Sequence, residues 1–546
     1  RMYFSGNPSI KAKRLCEVTY NCLMESIKII KPGKTLGDIG HTIQTIAERE
    51  RFSVVREFTG HGLGKVFHCQ PTILHYGEKG KGLEIKPGMI FVALNGLNFK
   101  GSDYILEAIN SGASVVIYDD LINKEILSLK ANFIKVNNSR YTLAKLASKF
   151  YKNQPKNIIS VTGTNGKTSS SYFMHQLLKN LGVSSASIGT LGIDSKLINK
   201  SGLLTTPDPV ELHAELSNLY KNGIEVVALE ASSHGLAQYR LDGVKTNIAT
   251  LTNISRDHLD YHKTLEAYIS AKKRLFLELL SENGIAILNR DIKEYDEFEK
   301  ICLNRNIKVN SYGKHPAALW KIKSIYKSEF GQNINISIQG TSYKVQIKAL
   351  GDFQALNFIA AIASVASIGI PIDKVIDAAQ GIDSPPGRME EVVKFSNKTS
   401  IYVDYAHTPD ALSTILKSLR SNFTGQIILL FGCGGERDHG KRALMGKIAK
   451  EFADKVVVTD DNPRKEDAAI IRKSILNVCS NAIEISDRKK AIYFAISLLK
   501  PGDKLIVAGK GHETGQIIGD KIYPFSDSKV IKEACSKICK SKDCLS

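Results

Sequence analysis

The chain has 546 residues, 43% of them hydrophobic and 24% charged, with 74 Lys+Arg against 55 Asp+Glu and a formal charge of +19. That balance excludes a disordered chain and allows several folded domains. The basic residues are spread along the chain with no stripe of interleaved aromatics, so the expected partners are anionic small molecules and not nucleic acid.

The nine cysteines form no paired framework, which fits a reducing compartment. Cys535, Cys539 and Cys544 crowd the tail and read as free thiols. There is no apolar run of about 18 residues and no signal-peptide pattern. The expectation is a cytoplasmic protein with no membrane partner.

In chain order, helical periodicity runs from Ile10 to Ile30, Lys31-Pro-Gly33 stops it, and a second helix is expected near Leu36 to Arg51. The next stretch, Phe58-Thr-Gly-His-Gly-Leu-Gly-Lys-Val-Phe-His68, resembles the methionine aminopeptidases. That family holds its metal pair with two Asp, one His and two Glu. Only His61 matches a ligand; His68 matches a substrate-side histidine, and Cys69 stands where a Glu is usual. One histidine cannot hold two divalent ions, so residues 1–85 are expected to be a remnant without peptidase activity.

The pattern changes within Lys86-Pro-Gly-Met-Ile-Phe-Val-Ala-Leu94. Phe91 to Gly101 and Ala108 to Ile117 read as strand, loop, helix and strand.

The stretch Asn157-Ile-Ile-Ser-Val161 reads as a buried strand, and Thr162-Gly-Thr-Asn-Gly-Lys-Thr-Ser169 as a glycine-rich turn feeding a helix from Lys167 to about Asn180. Such a turn aims backbone N–H groups and the positive helix end at one anion. Lys167, expected to face solvent, adds a cation for the outer phosphates, and the Thr168 hydroxyl can ligate Mg²⁺. The motif is a short P-loop variant, with two residues between Gly163 and Gly166. Glu225 to Glu230 reads as a buried strand ending in a carboxylate, where a Mg²⁺ ligand belongs. Ile248 to Asn253 leads into the polar loop Ile254-Ser-Arg-Asp-His-Leu-Asp-Tyr-His262. Lys272 by its spacing alone reads as a helix-surface lysine.

Beyond the Pro385-Pro386 linker, three strands each enter a polar loop. Ile427 to Phe431 leads to Gly432-Cys-Gly-Gly-Glu-Arg-Asp-His-Gly440, Val456 to Thr459 to Asp460-Asp-Asn-Pro-Arg464, and Leu505 to Ala508 to Gly509-Lys-Gly-His-Glu513. These loops should meet at one edge of a parallel sheet.

The succession Thr-Gly-Thr-Asn-Gly-Lys-Thr, Glu-Ala-Ser-Ser-His-Gly and Asn-Ile-Ser-Arg-Asp-His-Leu-Asp-Tyr-His resembles the Mur ligases, from about Phe91 to the tail. The resemblance implies an α/β fold in the three-domain Mur architecture. It places a truncated UDP-binding domain at 86–150, a P-loop ATPase-like central domain at 151–386 and a Rossmann-like ligase domain at 387–546, after the peptidase-like remnant. It implies ATP and Mg²⁺, with Gly163, Thr164, Asn165, Gly166, Lys167, Thr168, Asn253, Asn357 and Arg388 on the nucleotide. Thr168, Glu230, His258 and Lys272 would be on the metal, Lys272 as a carbamate. Lys167, Lys272 and His258 are the catalytic candidates. Thr205, Thr206, Ser232, Gln238 and Arg240 would hold UDP-MurNAc-L-Ala-D-Glu. Arg437, Asp461, Asn462, Pro463, Arg464, Gly509 and Glu513 would hold the incoming amino acid.

A guanidinium grips a carboxylate through two hydrogen bonds, so Arg464 argues for meso-diaminopimelate over L-lysine. The expected activity is ATP-dependent amide ligation by a monomer, through an acyl phosphate. The family's Asp-Ser-Arg-like uridine stretch is replaced by Gly82-Leu-Glu-Ile85, leaving Leu97, Asn98 and Phe99 to touch the UDP moiety. That gap keeps an inactive nucleotide-binding fusion as the alternative. A folylpolyglutamate-type ligase is the other, and Asp461-Asn-Pro-Arg464 speaks against it.

Overall fold

The computed structural model describes residues 8–30, 34–55, 59–62, 69–82, 89–96, 99–200, 202, 204–328 and 331–541. The chain forms two compact units, Arg1–Leu143 and Ala144–Ser546.

In the first unit, helices α1 (Ile10–Lys28) and α2 (Leu36–Arg49) pack through Val18, Cys22 and Ala47. A reciprocal cap starts α2: Thr35 N–H donates to Asp38 Oδ2 at 2.7 Å, and Asp38 N–H donates to Thr35 Oγ1 at 3.2 Å. A hairpin pairs β1 (Thr59–Gly62) with β2 (Cys69–Leu74), and a parallel sheet joins β3 (Met89–Val92), β4 (Ala113–Tyr118) and β5 (Asn132–Lys135). His61 lies on β1. The Lys31–Gly33 stop, Phe58, His68, 83–88, Leu97, Asn98 and Cys544 fall outside the described residues.

In the second unit, β6 (Asn157–Thr162) is buried at five of its six positions, as an apolar run in the middle of a parallel sheet must be. Around it an eleven-stranded sheet assembles. On one side lie β7 (Ser185–Gly189), β8 (Gly192–Ser195), β9 (Asn199–Lys200) and β10 (Val226–Glu230). On the other lie β11 (Thr246–Leu251), β12 (Leu280–Asn289), β13 (Lys308–Gly313), β14 (Trp320–Ser328), β15 (Gly331–Ile338) and β16 (Thr341–Ile347). β10 and β11 are the direct neighbours of β6, both parallel. Their register pairs Glu230 with Val161 and Leu251 with Thr162, so all three strands end at one level. Helix α3 (Lys167–Asn180) leaves that rim and packs on helix α5 (Asp352–Ala366), with Phe173 edge-on to Phe358 at 5.5 Å. Between them in the chain, helix α4 (Leu265–Arg274) runs into one π-helical turn, Leu275–Leu279.

The second sheet has the order β17 (Glu390–Lys394), β18 (Ser400–Asp404), β22 (Lys504–Ala508), β19 (Ile427–Phe431), β20 (Lys455–Val458), β21 (Ile483–Glu484). All neighbours except β17–β18 are parallel. Its two faces carry separate apolar clusters, one around Leu429 and Ile506 and one around Leu430 and Val507. Register aligns Asp404 with Ala508, Leu430 with Val507 and Phe431 with Val458, so the loops after four strands share one edge. A hairpin, β23 (Gly515–Ile518) and β24 (Lys521–Pro524), follows β22.

Candidate active site

The turn after β6 is cut to fit its neighbours. Gly163 and Gly166 have φ of 153° and 86°. A Cβ on Gly163 would run into the Thr252 hydroxyl, and one on Gly166 into the Asn357 amide. The polypeptide leaving β11 holds the turn from behind. Thr164 N–H donates to Asn253 O (2.8 Å), Asn165 N–H to Asn253 Oδ1 (3.0 Å), and Thr252 Oγ1 and Asn253 Nδ2 to Asn165 O (2.6 and 2.9 Å). Asn253, expected on the nucleotide, therefore positions the turn. Ser170 Oγ donates to Asn357 O at 3.3 Å, fixing α5 against the start of α3.

Lys167 does not face solvent as expected. It is half-buried, and its ammonium folds back onto Gly163 O (2.9 Å) and Thr164 O (2.8 Å). Burial pushes it below the usual lysine range, against the pull of Glu230 and Asp257.

Glu230, at the end of β10, is 1% exposed. Its carboxylate accepts from Thr190 N (2.9 Å), Thr190 Oγ1 (3.1 Å) and Thr168 Oγ1 (3.0 Å). Burial raises its pKa, and Lys167 opposes that shift. Lys272 overturns the surface reading: it is 1% exposed, because α4 turns it inward beneath the glycine turn. Its Nζ donates to Gly163 O at 2.7 Å and lies 4.4 Å from the centre of the Tyr268 ring. Two ammonium groups thus share one carbonyl oxygen. Burial, then the Lys167 charge, lowers the Lys272 pKa well below the lysine range. Tyr268 in turn bonds Thr164 Oγ1 (2.9 Å).

In the loop after β11, His258 has a left-handed backbone, φ 53°. Its Nε2 lies 3.4 Å from Asp257 Oδ2. Burial holds its pKa down at about 4, so the ring is neutral near pH 7 and able to ligate a metal. Burial disfavours the Asp257 carboxylate, but the neighbouring His258, His407 and Lys167 outweigh it and leave its pKa below the ordinary value. The side chain of Asp260 lies outside the described residues.

Arg388 brings the second sheet to the first. Its Nη2 donates to Thr168 Oγ1 (3.3 Å), its guanidinium stacks 4.4 Å over Tyr405, and its backbone O accepts from Gln354 (3.1 Å). Arg388 Nε is buried without a partner among the described residues, an orphan donor that an anion would satisfy. Asp404, 6% exposed, accepts from the Met389 and Ala406 N–H groups (2.6 and 2.7 Å), and burial raises its pKa to about 6. It locks the residue after Arg388 in place.

These groups close on a cavity of about 160 Å³. Thr164 to Ser169, Thr190, Thr205, Ser232, Asp257, His258, Tyr268, Lys272, Arg388, Tyr405 and His407 line it. Thr190, Tyr268, Tyr405 and His407 are not among the sequence candidates; Asp257 is legible only as part of the polar loop 254–262, and Tyr405 and His407 only as polar residues after the strand that ends at Asp404. The cradle suits a phosphate chain. No three His, Cys, Asp or Glu side chains gather as a metal site among the described residues. Mg²⁺ does not need such a cluster, since it takes one or two carboxylates and completes its shell with phosphate, water and other oxygen donors. The donor set Thr168, Glu230 and His258 fits such an ion, whereas Lys272 as an ammonium does not.

The five dipeptide-side candidates form one chain of bonds. Thr205 Oγ1 bonds Thr190 Oγ1 (3.0 Å). Thr206 Oγ1 donates to Glu230 O (2.7 Å), Ser232 N–H to Thr206 Oγ1 (3.0 Å), and Arg240 to Thr206 O (2.6 Å) and to Gln238 Oε1 (2.8 Å). The amino-acid candidates form a second cluster at the rim of the other sheet. Arg464, with φ 53°, donates to Gly435 O at 2.8 Å. Its neighbour Arg437 is exposed and adds to the burial that lowers the Arg464 pKa. Asp461 Oδ2 is buried without a partner among the described residues, and a Cβ on Gly509 would sit 2.6 Å from it. Pro463 O accepts from Glu466 N–H (3.1 Å). Glu513 Oε2 accepts from Asn462 Nδ2 at 2.9 Å. Two guanidiniums beside a partnerless carboxylate oxygen make a receptor for a zwitterionic group.

Three family descriptions match the chain: Mur ligase middle domain at 161–365, Mur ligase, glutamate ligase domain at 387–511, and metallopeptidase family M24 at 1–125. A UDP-N-acetylmuramoyl-L-alanyl-D-glutamate–2,6-diaminopimelate ligase of Agrobacterium fabrum is 41% identical over 456 residues, 84% of this chain and 92% of that protein. The protein of the same description from Rickettsia conorii is 42% identical over 464 residues, 83% of this chain and 94% of its own. A solved structure of a ligase so described superposes with a TM-score of 0.60 at 34% identity, covering 83% of this chain and 93% of that one.

Proposed function

Because the chain belongs to the Mur ligase family, and within it to the UDP-N-acetylmuramoyl-L-alanyl-D-glutamate–2,6-diaminopimelate ligases, we propose which of its residues perform each part of that reaction. The enzyme is a ligase that adds meso-diaminopimelate to UDP-MurNAc-L-Ala-D-Glu in peptidoglycan precursor synthesis, at the expense of ATP. The observation that carries the residue assignment is the shared level of Val161, Glu230 and Thr250, which sets three loops around one cavity.

The D-Glu γ-carboxylate attacks the terminal phosphorus of ATP and ADP leaves. The diaminopimelate amine then attacks the acyl phosphate, losing a proton, and phosphate leaves. Lys167, Arg388 and the N-terminus of α3 hold phosphate oxygens and stabilise the charge that develops there. Thr164, Gly166 and Asn357 shape the cradle. Thr168, Glu230, His258 and, once carbamylated, Lys272 would hold Mg²⁺. When bound, the ion neutralises charge on the transferred group.

Lys272 supports the carbamate by its own chemistry. A neutral amine adds CO₂, releasing one proton, and becomes an anion. Burial and the second ammonium on Gly163 O both favour the neutral amine. The carbamate would replace a repulsion with a ligand.

Thr205, Thr206, Ser232, Gln238 and Arg240 bind the UDP-MurNAc-dipeptide. Arg437, Asp461, Asn462, Pro463, Arg464, Gly509 and Glu513 bind the far end of diaminopimelate. The enzyme acts as a cytoplasmic monomer, needs neither nucleic acid nor membrane, and is divided at 85/86, 150/151 and 386/387. Among the described residues no helix is long and apolar enough to cross a membrane. The first segment is a remnant without peptidase chemistry, an assignment supported by its single matching ligand, His61.

The test is formation of UDP-MurNAc-tripeptide from ATP, the dipeptide precursor and meso-diaminopimelate. Lys167→Ala should abolish product while melting like the parent. Product formation at the parent rate would overturn the assignment. A carbamate carbon signal after equilibration with labelled bicarbonate, absent in Lys272→Ala, checks the modification.

A further inference from the structure

Lys510 is fully buried, 0% exposed, on the loop that follows β22. A buried ammonium is costly unless fully partnered, and a buried ion pair can often be replaced as a whole by well-packed apolar side chains without loss of stability. Something other than packing has to account for it. Its Nζ donates to Glu513 Oε2 at 2.8 Å and to Asn462 Oδ1 at 2.9 Å. Those two atoms belong to the two loops of the amino-acid cluster. Asn462 Nδ2 also donates to Glu513 Oε2, and Asn462 Oδ1 also accepts from Ile517 N–H, both at 2.9 Å. The ammonium is thus the cation at the centre of a closed network that joins the loop after β20 to the loop after β22.

We propose that Lys510 is a positioning residue for amino-acid selection. It acts through Glu513 and Asn462 and does not touch the substrate. Both bonds to Glu513 fall on Oε2, which leaves Oε1 outside this network. The amide of Asn462 is fixed with its oxygen toward the lysine and its nitrogen toward the carboxylate. Without the cation, the Glu513 carboxylate loses the ammonium it is ion-paired with at 2.8 Å, and both acceptors are left to find water. The inference rests on the reading that Asn462 and Glu513 face diaminopimelate.

The experiment is steady-state kinetics on the full chain, with Lys510→Met, Lys510→Arg, Glu513→Gln and the double variant Lys510→Met/Glu513→Gln. Lys510→Met should raise KM for meso-diaminopimelate about 10- to 100-fold, the effect of taking a charged hydrogen-bond donor from the Glu513 carboxylate. KM for ATP and for the UDP-precursor should stay within about twofold, and kcat should fall less than kcat/KM. The double variant should be no worse than Glu513→Gln alone, since Lys510 acts through that carboxylate. Lys510→Arg, which keeps the charge, should recover part of the loss. Additive single effects, or an equal rise in all three KM values, would overturn the proposal and leave Lys510 a purely structural residue. If Glu513→Gln leaves the diaminopimelate KM unchanged, the underlying reading of the cluster fails instead. If Lys510→Met does not fold, Lys510→Arg combined with Glu513→Gln decides by the same comparison.

Discussion

Arg488 and Asp527 form an ion pair in which both side chains are 0% exposed. Nε and Nη2 donate to the two carboxylate oxygens at 2.8 Å each, and Nη2 also donates to Ala508 O at 3.0 Å. Asp527 holds the guanidinium pKa above its ordinary value against the effect of burial. Arg488→Met removes the cation and leaves a carboxylate with no water and no counter-charge. That should cost about 3–5 kcal/mol, whereas Arg488→Met/Asp527→Leu removes both charges and should come within about 1 kcal/mol of the parent. At about 2–4 °C per kcal/mol for a unit of 150–250 residues, the single variant should lose roughly 6–20 °C. The sole tryptophan, Trp320, lies on β14 of the other sheet. Its fluorescence transition should therefore move little, while the far-UV circular dichroism transition splits and its lower step falls. A single variant within about 1 kcal/mol of the parent, or a double variant as unstable as the single, would refute the reasoning. Ala508 precedes Gly509, so the stable double variant should also bind diaminopimelate more weakly.

Arg464→Ala should raise KM for meso-diaminopimelate by orders of magnitude, since a desolvated carboxylate loses its guanidinium at about 2–5 kcal/mol; L-lysine used by the parent at an equal kcat/KM would contradict it. His512 is held neutral, its pKa pushed down from 6.5 to about 4 by burial and by Arg388. The folded state then binds fewer protons than the unfolded chain between those values, so this contribution is complete above pH 6.5 and lost as pH falls toward 4. His512→Gln should flatten the acid limb of the urea-midpoint curve by about 2–3 kcal/mol, and superimposable curves would contradict it.

How much of this was legible follows from where the information lies. The strand and turn at 157–166 and the helix Lys167–Asn180 emerge from local signals: a buried apolar run, two glycines, then helical spacing. The first two helices and the strands ending at Glu230 and Phe431 were legible for the same reason, to within a few residues. Lys272 was not. Its burial comes from Gly163, 109 residues earlier, and helical periodicity holds no record of that. Lys167 misled because its ammonium finds carbonyls of its own turn, a local geometry that the motif does not encode. Asp404 and Lys510 sit in visible strand-to-loop patterns, yet their roles depend on β22 lying between β18 and β19, an order no single stretch contains.

Ten non-glycine residues have left-handed backbone among the described residues, and five of them are at or next to proposed site residues: Tyr239, His258, Met389, Glu436 and Arg464. Each such conformation costs on the order of 1 kcal/mol or more and persists only where the surroundings enforce it. Evolution in the laboratory for heat resistance alone should therefore reach these positions early, since Gly or Asn at any of them relaxes the chain. Two of the five, His258 and Arg464, carry side chains proposed above to hold the metal and the amino acid. A library selected for melting temperature and then screened for ligation should find thermostable, inactive clones concentrated at those two codons. Glu436, which is exposed beside Arg437, should yield the milder trade of slower turnover for a firmer fold, whereas Met389, packed in the core, and Tyr239, stacked under Arg274 at 4.0 Å, lose contacts that offset the relief.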